Sequence, residues 1–144
     1  MNRWLCPALA VVTCSLVACG STTTAPSWFV REYLGLPSSL SPNAPDMSFT
    51  DTVVWGAPGQ MDVVSFGSSG CPKLPIRLDA TAPNEFTVTL SNGEPGGACT
   101  ADLAGTTSVI RAPSTIDPTR PVYATIVDNG TRTNVVLPPR PPSG

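Results

Sequence analysis

Ten carboxylates, one lysine, five cysteines and no histidine make up most of the reactive side chains of this sequence. Without imidazole there is no Ser-His or Cys-His nucleophile pair and no zinc or iron site that needs one. Acid–base work would then need paired carboxylates or a tuned Lys or Tyr. The acids are Glu32, Asp46, Asp51, Asp62, Asp79, Glu85, Glu94, Asp102, Asp117 and Asp128. They are scattered, mostly at expected turns or outward strand positions. Asp79, Asp117 and Asp128 stand where turns are expected to begin, a common structural role for Asp. Lys73 has no S-x-x-K spacing, because Ser69 lies four positions away across Cys71-Pro72. A Ser-Lys dyad with Ser68 or Ser69 is therefore disfavoured. No D-x-[DN]-x-[DN]-G run offers a calcium loop. No cofactor and no metal are expected. Trp55 beside Gly56 suits a sugar-stacking platform or, the stronger reading, a core or sandwich-edge Trp. Asn129-Gly130-Thr131 fits a glycosylation sequon, but Asn-Gly reads first as a hairpin turn.

The chain has 144 residues, the size of one domain. Charged residues are 12%, about half the usual share. Net charge is −2 and no basic run occurs, so nucleic acid is not an expected partner. Arg3 is the only charge before Arg31. It precedes an apolar stretch from Trp4 to Ala18, 15 residues long. That is the form of an export signal, and it is shorter than the roughly 20 residues a membrane-spanning helix needs.

Leu16-Val17-Ala18-Cys19, followed by Gly20, resembles the lipobox of bacterial prolipoproteins. The resemblance implies a diacylglycerol on the Cys19 sulfur and cleavage between Ala18 and Cys19. It places the mature chain on the extracytoplasmic face of the cell membrane, held by acyl chains such as palmitate. An ordinary secretory signal, cut after Ala18 or Ala25, is the alternative. Gly20 to Ser27 is an uncharged Ser/Thr-rich tether, as expected beside a lipid anchor.

Cysteine arithmetic agrees. Cys6 and Cys14 leave with the signal and Cys19 takes lipid. Cys71 and Cys99 remain, 28 positions apart. In an oxidising compartment such a pair closes into a disulfide. A redox pair or a metal site is the alternative. The usual C-x-x-C is absent, and two thiolates without His hold metal poorly.

The elements around these residues read as follows. Residues 1–18 form the signal, 19–45 the tether, 46–138 a β-domain and 139–144 a Pro-rich tail. Within the tether, Ser27 to Pro37 forms either a short helix over 28–36, capped by Ser27 and ended by Gly35, or an extended arm packed on the domain. An interfacial segment beside the anchor is the sharper alternative, but its polar face lacks Lys and Arg. Strands are expected at 52–55, 61–66, 74–79, 86–90, 99–103, 107–110, 122–127 and 131–137. Ile76 and Leu78 should face one core with Phe86, Val88 and Leu90. Asn92 to Gly97 is a Gly-rich loop, and Asn129-Gly130 closes the last hairpin. The expected class is all-β: a small antiparallel sandwich or partly open barrel of about seven strands. The tail is a solvated end that stops the last strand, or else a docking peptide for an aromatic groove.

Ser68-Ser69-Gly70-Cys71-Pro72, Phe86 to Leu90, Cys99-Thr100-Ala101-Asp102-Leu103 and Thr107 to Ile110 resemble small lipoproteins of high-GC Gram-positive bacteria. That resemblance implies a domain type and the Cys71–Cys99 pairing, and it transfers no catalytic residue. The expected function is a lipid-anchored, non-catalytic binding or assembly domain of the cell envelope, with an envelope protein or glycan as partner. A His-independent envelope hydrolase using carboxylates is the main alternative; a structural spacer is the other. Two or more acids in one pocket would favour the hydrolase.

Overall fold

The computed structural model describes residues 25–40, 49–91 and 98–140. Cys19, the loop at 92–97 and the final residues of the Pro-rich tail lie outside the described residues.

The chain is all-β, with eight strands and no helix among the described residues. They are β1 (Phe29–Leu34), β2 (Thr52–Trp55), β3 (Gln60–Gly67), β4 (Pro75–Ala82), β5 (Glu85–Leu90), β6 (Ala104–Arg111), β7 (Val122–Asp128) and β8 (Thr131–Leu137). Two four-stranded sheets form, in the orders β1-β6-β3-β2 and β4-β5-β7-β8. They pack as a sandwich and do not close into a barrel.

Alternation within the strands builds the core. Val53, Met61, Val63 and Ile110 point inward from the first sheet. Phe86, Val88, Leu90, Val122, Ala124, Ile126 and Leu137 meet them from the second. The hairpin at Asn129-Gly130 forms as expected: both residues have positive φ, 50° and 80°, as a two-residue turn of this kind requires. Asn84, also at positive φ, turns β4 into β5. Its side chain donates to Asp117 O and Pro121 O and accepts from Asp117 N, fastening the β6–β7 loop to that turn.

Five sequence expectations change. Of the two forms read for Ser27 to Pro37, the extended one is found and the helix over 28–36 does not form. The segment is extended, and β1 pairs antiparallel with β6 as an edge strand, so these residues belong to the sheet rather than to the tether. Residues 99–103 are not a strand; the strand there begins at Ala104. Ile76 is 60% exposed, because a register shift between Pro75 and Arg77 turns Pro75 inward in its place. Asp79 lies inside β4 rather than at the start of a turn. One pairing is parallel, β5 with β7, because the chain leaves the second sheet after β5, adds β6 to the first, and returns.

β3 is buried along most of its length on both faces. Its inner face meets the second sheet. Its outer face, with Asp62, Val64 and Phe66, is covered by chain from outside the strands. After β1 the backbone turns at Gly35, whose N–H donates to Gly105 O, while Thr107 Oγ1 donates to Gly35 O. Leu36 then lies over Gly105 and Phe66. A Cβ at Gly105 would stand 2.9 Å from Leu36 Cδ2, so a side chain there would push the Leu36 methyl aside. Phe49 adds an edge-to-face contact on Phe66, with ring centroids 5.6 Å apart.

Candidate functional site

Cys71 and Cys99 are joined, with Cα atoms 5.2 Å apart, inside the usual disulfide range. The bond ties the β3–β4 connection to the segment before β6. A polar network surrounds it. Thr100 Oγ1 lies 2.8 Å from Ser68 Oγ and accepts from Gly70 N. Asp102 Oδ1 accepts from Ser69 N and from the Thr100 hydroxyl. The Thr100 and Ser69 hydrogen bonds hold the Asp102 carboxyl down to about 2. Ser68 and Ser69, weighed above as nucleophiles for Lys73, are thus engaged by Thr100 and Asp102.

Lys73 points elsewhere. Its Nζ lies 2.5 Å from Asp128 Oδ2, at the end of β7, and 4.0 Å from Asp51 Oδ2. Asp51 also accepts from Phe66 N on β3. The two acids therefore sit on either side of one cation and link the sheets. One cation thus faces two carboxylates, closely paired with Asp128 and at the limit of an ion pair with Asp51, in the manner of a structural clamp.

A polar pocket of about 430 Å³ lies on the outer face of the first sheet, lined from β1, β3 and the turn between β2 and β3. Strand register builds it. Arg31 pairs with Val109, and Val109 with Asp62, so Arg31 and Asp62 share one face with a single strand between them. Tyr33 and Gln60 extend their strands along that face. Pro37 to Ser39 form the roof, and Trp55 to Ala57 form the wall at the β2 edge. Asp62 is only 8% exposed, and no described residue hydrogen-bonds its carboxylate. Burial pushes the Asp62 carboxyl up; the Arg31 charge opposes this. Gly56 packs directly on it, since a Cβ there would come within 2.8 Å of Asp62 Oδ1.

Trp55 also borders a second hollow, an apolar groove of about 570 Å³ between β2 and β8. Its indole N–H donates to Pro138 O at 2.7 Å, which fixes the ring. Arg140 stands over that ring, 6.0 Å from its centroid, and donates to Gly56 O and Ala57 O. The first residues of the tail are therefore fastened to the domain. Trp55 takes the sandwich-edge position, and it divides two hollows.

The chain matches no family model, no curated protein and no solved structure. The site is read from its own chemistry. A third hollow, of about 340 Å³ beside Trp28 and Arg111, contains no acid. Of these three hollows, only the polar one is lined by an acid among the described residues, and that acid is Asp62. Sequence reasoning passed over Asp62 by treating the acids as turn or outward residues. The available signal was its place in Met61-Asp62-Val63-Val64, a run apolar enough to be a central strand buried on both faces.

Proposed function

We propose that this chain is an exported lipoprotein of the cell envelope, anchored at the extracytoplasmic face of the membrane through a diacylglycerol on Cys19, and that its sandwich is a binding module. The anchor rests on Leu16-Val17-Ala18-Cys19 after an apolar run of signal length. Two acyl chains hold a protein stably where one is marginal. The binding role rests on the hollows that meet at Trp55. Concave, partly apolar surfaces with a few convergent polar groups are the ordinary form of ligand sites.

The hydrolase reading draws less support. Asp51 and Asp128 both face Lys73, which holds Asp128 in a close ion pair, and among the described residues no second acid lines the pocket of Asp62. Metabolic labelling with a fatty-acid analogue tests the anchor. The wild type takes label and Cys19→Ala loses it. Label that survives the substitution overturns the anchoring.

A further inference from the structure

The pocket at Asp62 has an unusual electrostatic balance. Asp62 is only 8% exposed as a residue, no described group hydrogen-bonds its carboxylate, and the carboxylate oxygens are not enclosed. This differs from Asp128 Oδ1, which is enclosed without a partner. A built pocket whose one acid awaits donors is a site for a ligand that brings them.

The neighbours define that ligand. Arg31 stands across one strand and supplies a positive charge on the same face. It disfavours a cationic ligand, as Asp62 disfavours an anionic one. A neutral molecule rich in hydroxyls satisfies both. Adjacent O–H groups can donate to the two Asp62 oxygens, and ring or hydroxyl oxygens can accept from Arg31 and Gln60. Tyr33 and Trp55 also line the pocket, with Arg31 and Arg140 standing over their rings at 5.9 and 6.0 Å, so the site offers its ligand mainly polar groups. The volume falls in the range of about 300–1,000 Å³ usual for ligand pockets. A peptide backbone would instead seek the open edge of a strand.

We propose that the Asp62 pocket, with Arg31, Tyr33, Gln60 and Trp55 around it, binds a neutral saccharide. This deepens the binding-module reading and does not depend on the anchor. The test is isothermal titration of the purified full chain with neutral trisaccharides of glucose, galactose, mannose and N-acetylglucosamine. Acetate, methylammonium and triglycine amide serve as counter-probes.

At least one trisaccharide should bind saturably in the millimolar range or tighter. Asp62→Asn, which keeps shape and removes charge, should weaken it about tenfold or more, the equivalent of about 1.4 kcal/mol. Gln60→Ala, in a separate wall of the pocket, should weaken it as well. No saturable binding by any trisaccharide overturns the proposal. So does affinity that is unchanged in both variants, or a response confined to the counter-probes. A flat titration beside Cys19-dependent labelling defeats the ligand class and spares the anchor. Saturable binding beside Cys19-independent labelling does the reverse.

Discussion

Lys73, the single lysine of the chain, closes on Asp128 at 2.5 Å across 55 residues of sequence. The pair joins the β3–β4 connection to the end of β7 and so links the two sheets. Both side chains are mostly buried, 28% and 21% exposed. Lys73→Met should therefore destabilise the fold by about 1–3 kcal/mol, because it strands a partly buried carboxylate. Asp128→Asn in the Lys73→Met background should recover part of the loss, and the double-mutant cycle isolates the coupling. Urea midpoints measure all four proteins. A midpoint unmoved by Lys73→Met would mean that the pair does not hold the sheets.

Reduction should weaken the domain more than any surface substitution. A loop of 28 positions closed by Cys71–Cys99 restricts the unfolded chain by roughly 3–4 kcal/mol, before any strain in the folded state. That is a large part of the stability of one domain. Melting followed by circular dichroism, with and without reductant, should show a clear fall in Tm. Cys71→Ser with Cys99→Ser should reproduce it without reductant. Equal melting temperatures would show that other contacts alone hold the β3–β4 turn.

How far sequence pattern reaches is clear from particular strands. β5 alternates over Glu85–Leu90, and the Asn129-Gly130 turn follows from local chemistry, so both were legible. Phe29–Leu34 was not, because its spacing fits a helix face and a strand equally well. Its extended form is decided by pairing with β6, more than seventy residues away. Ile76 defeated alternation because one bulge reverses which side chains face the core. Asp62 shows the same limit at the site. Its strand was visible, but its burial depends on Gly56 packing on it and on Pro37 to Ser39 lying over the same pocket.

Asp102 gives the fold a test in acid. Its carboxyl is held to about 2 by hydrogen bonds from Thr100 and Ser69, against the ordinary value near 3.8. A folded-state value below the unfolded one means that stability is present above the unfolded value and lost as the carboxyl protonates. The loss therefore falls between about pH 4 and pH 2. Asp102→Asn should be less stable than wild type at neutral pH, and the difference should shrink through that window. Urea denaturation at pH 7, 4 and 2.5 follows it. A difference that stays constant across that range would remove Asp102 from the brace around the disulfide.

Asp62 carries the opposite sign. Burial raises its carboxyl above the ordinary value of 3.8, only partly countered by Arg31. A raised folded-state value means that the contribution to stability is fully present below the unfolded value and is lost as pH rises through the folded one. At neutral pH the wild type therefore holds a buried charge that no described group hydrogen-bonds. Asp62→Asn removes that charge while keeping the side chain's shape. It should stabilise the unliganded protein by about 1 kcal/mol at pH 7. The gain should fade as pH falls toward and below the ordinary value of 3.8, where the wild-type carboxyl takes up its proton. The same substitution is expected to weaken saccharide binding, so stability and binding should move in opposite directions. That opposition is the mark of a group retained for its ligand rather than for its fold. Urea midpoints at pH 7 and below pH 3.8 measure it. A loss of stability at pH 7 would instead assign Asp62 a structural role in the first sheet.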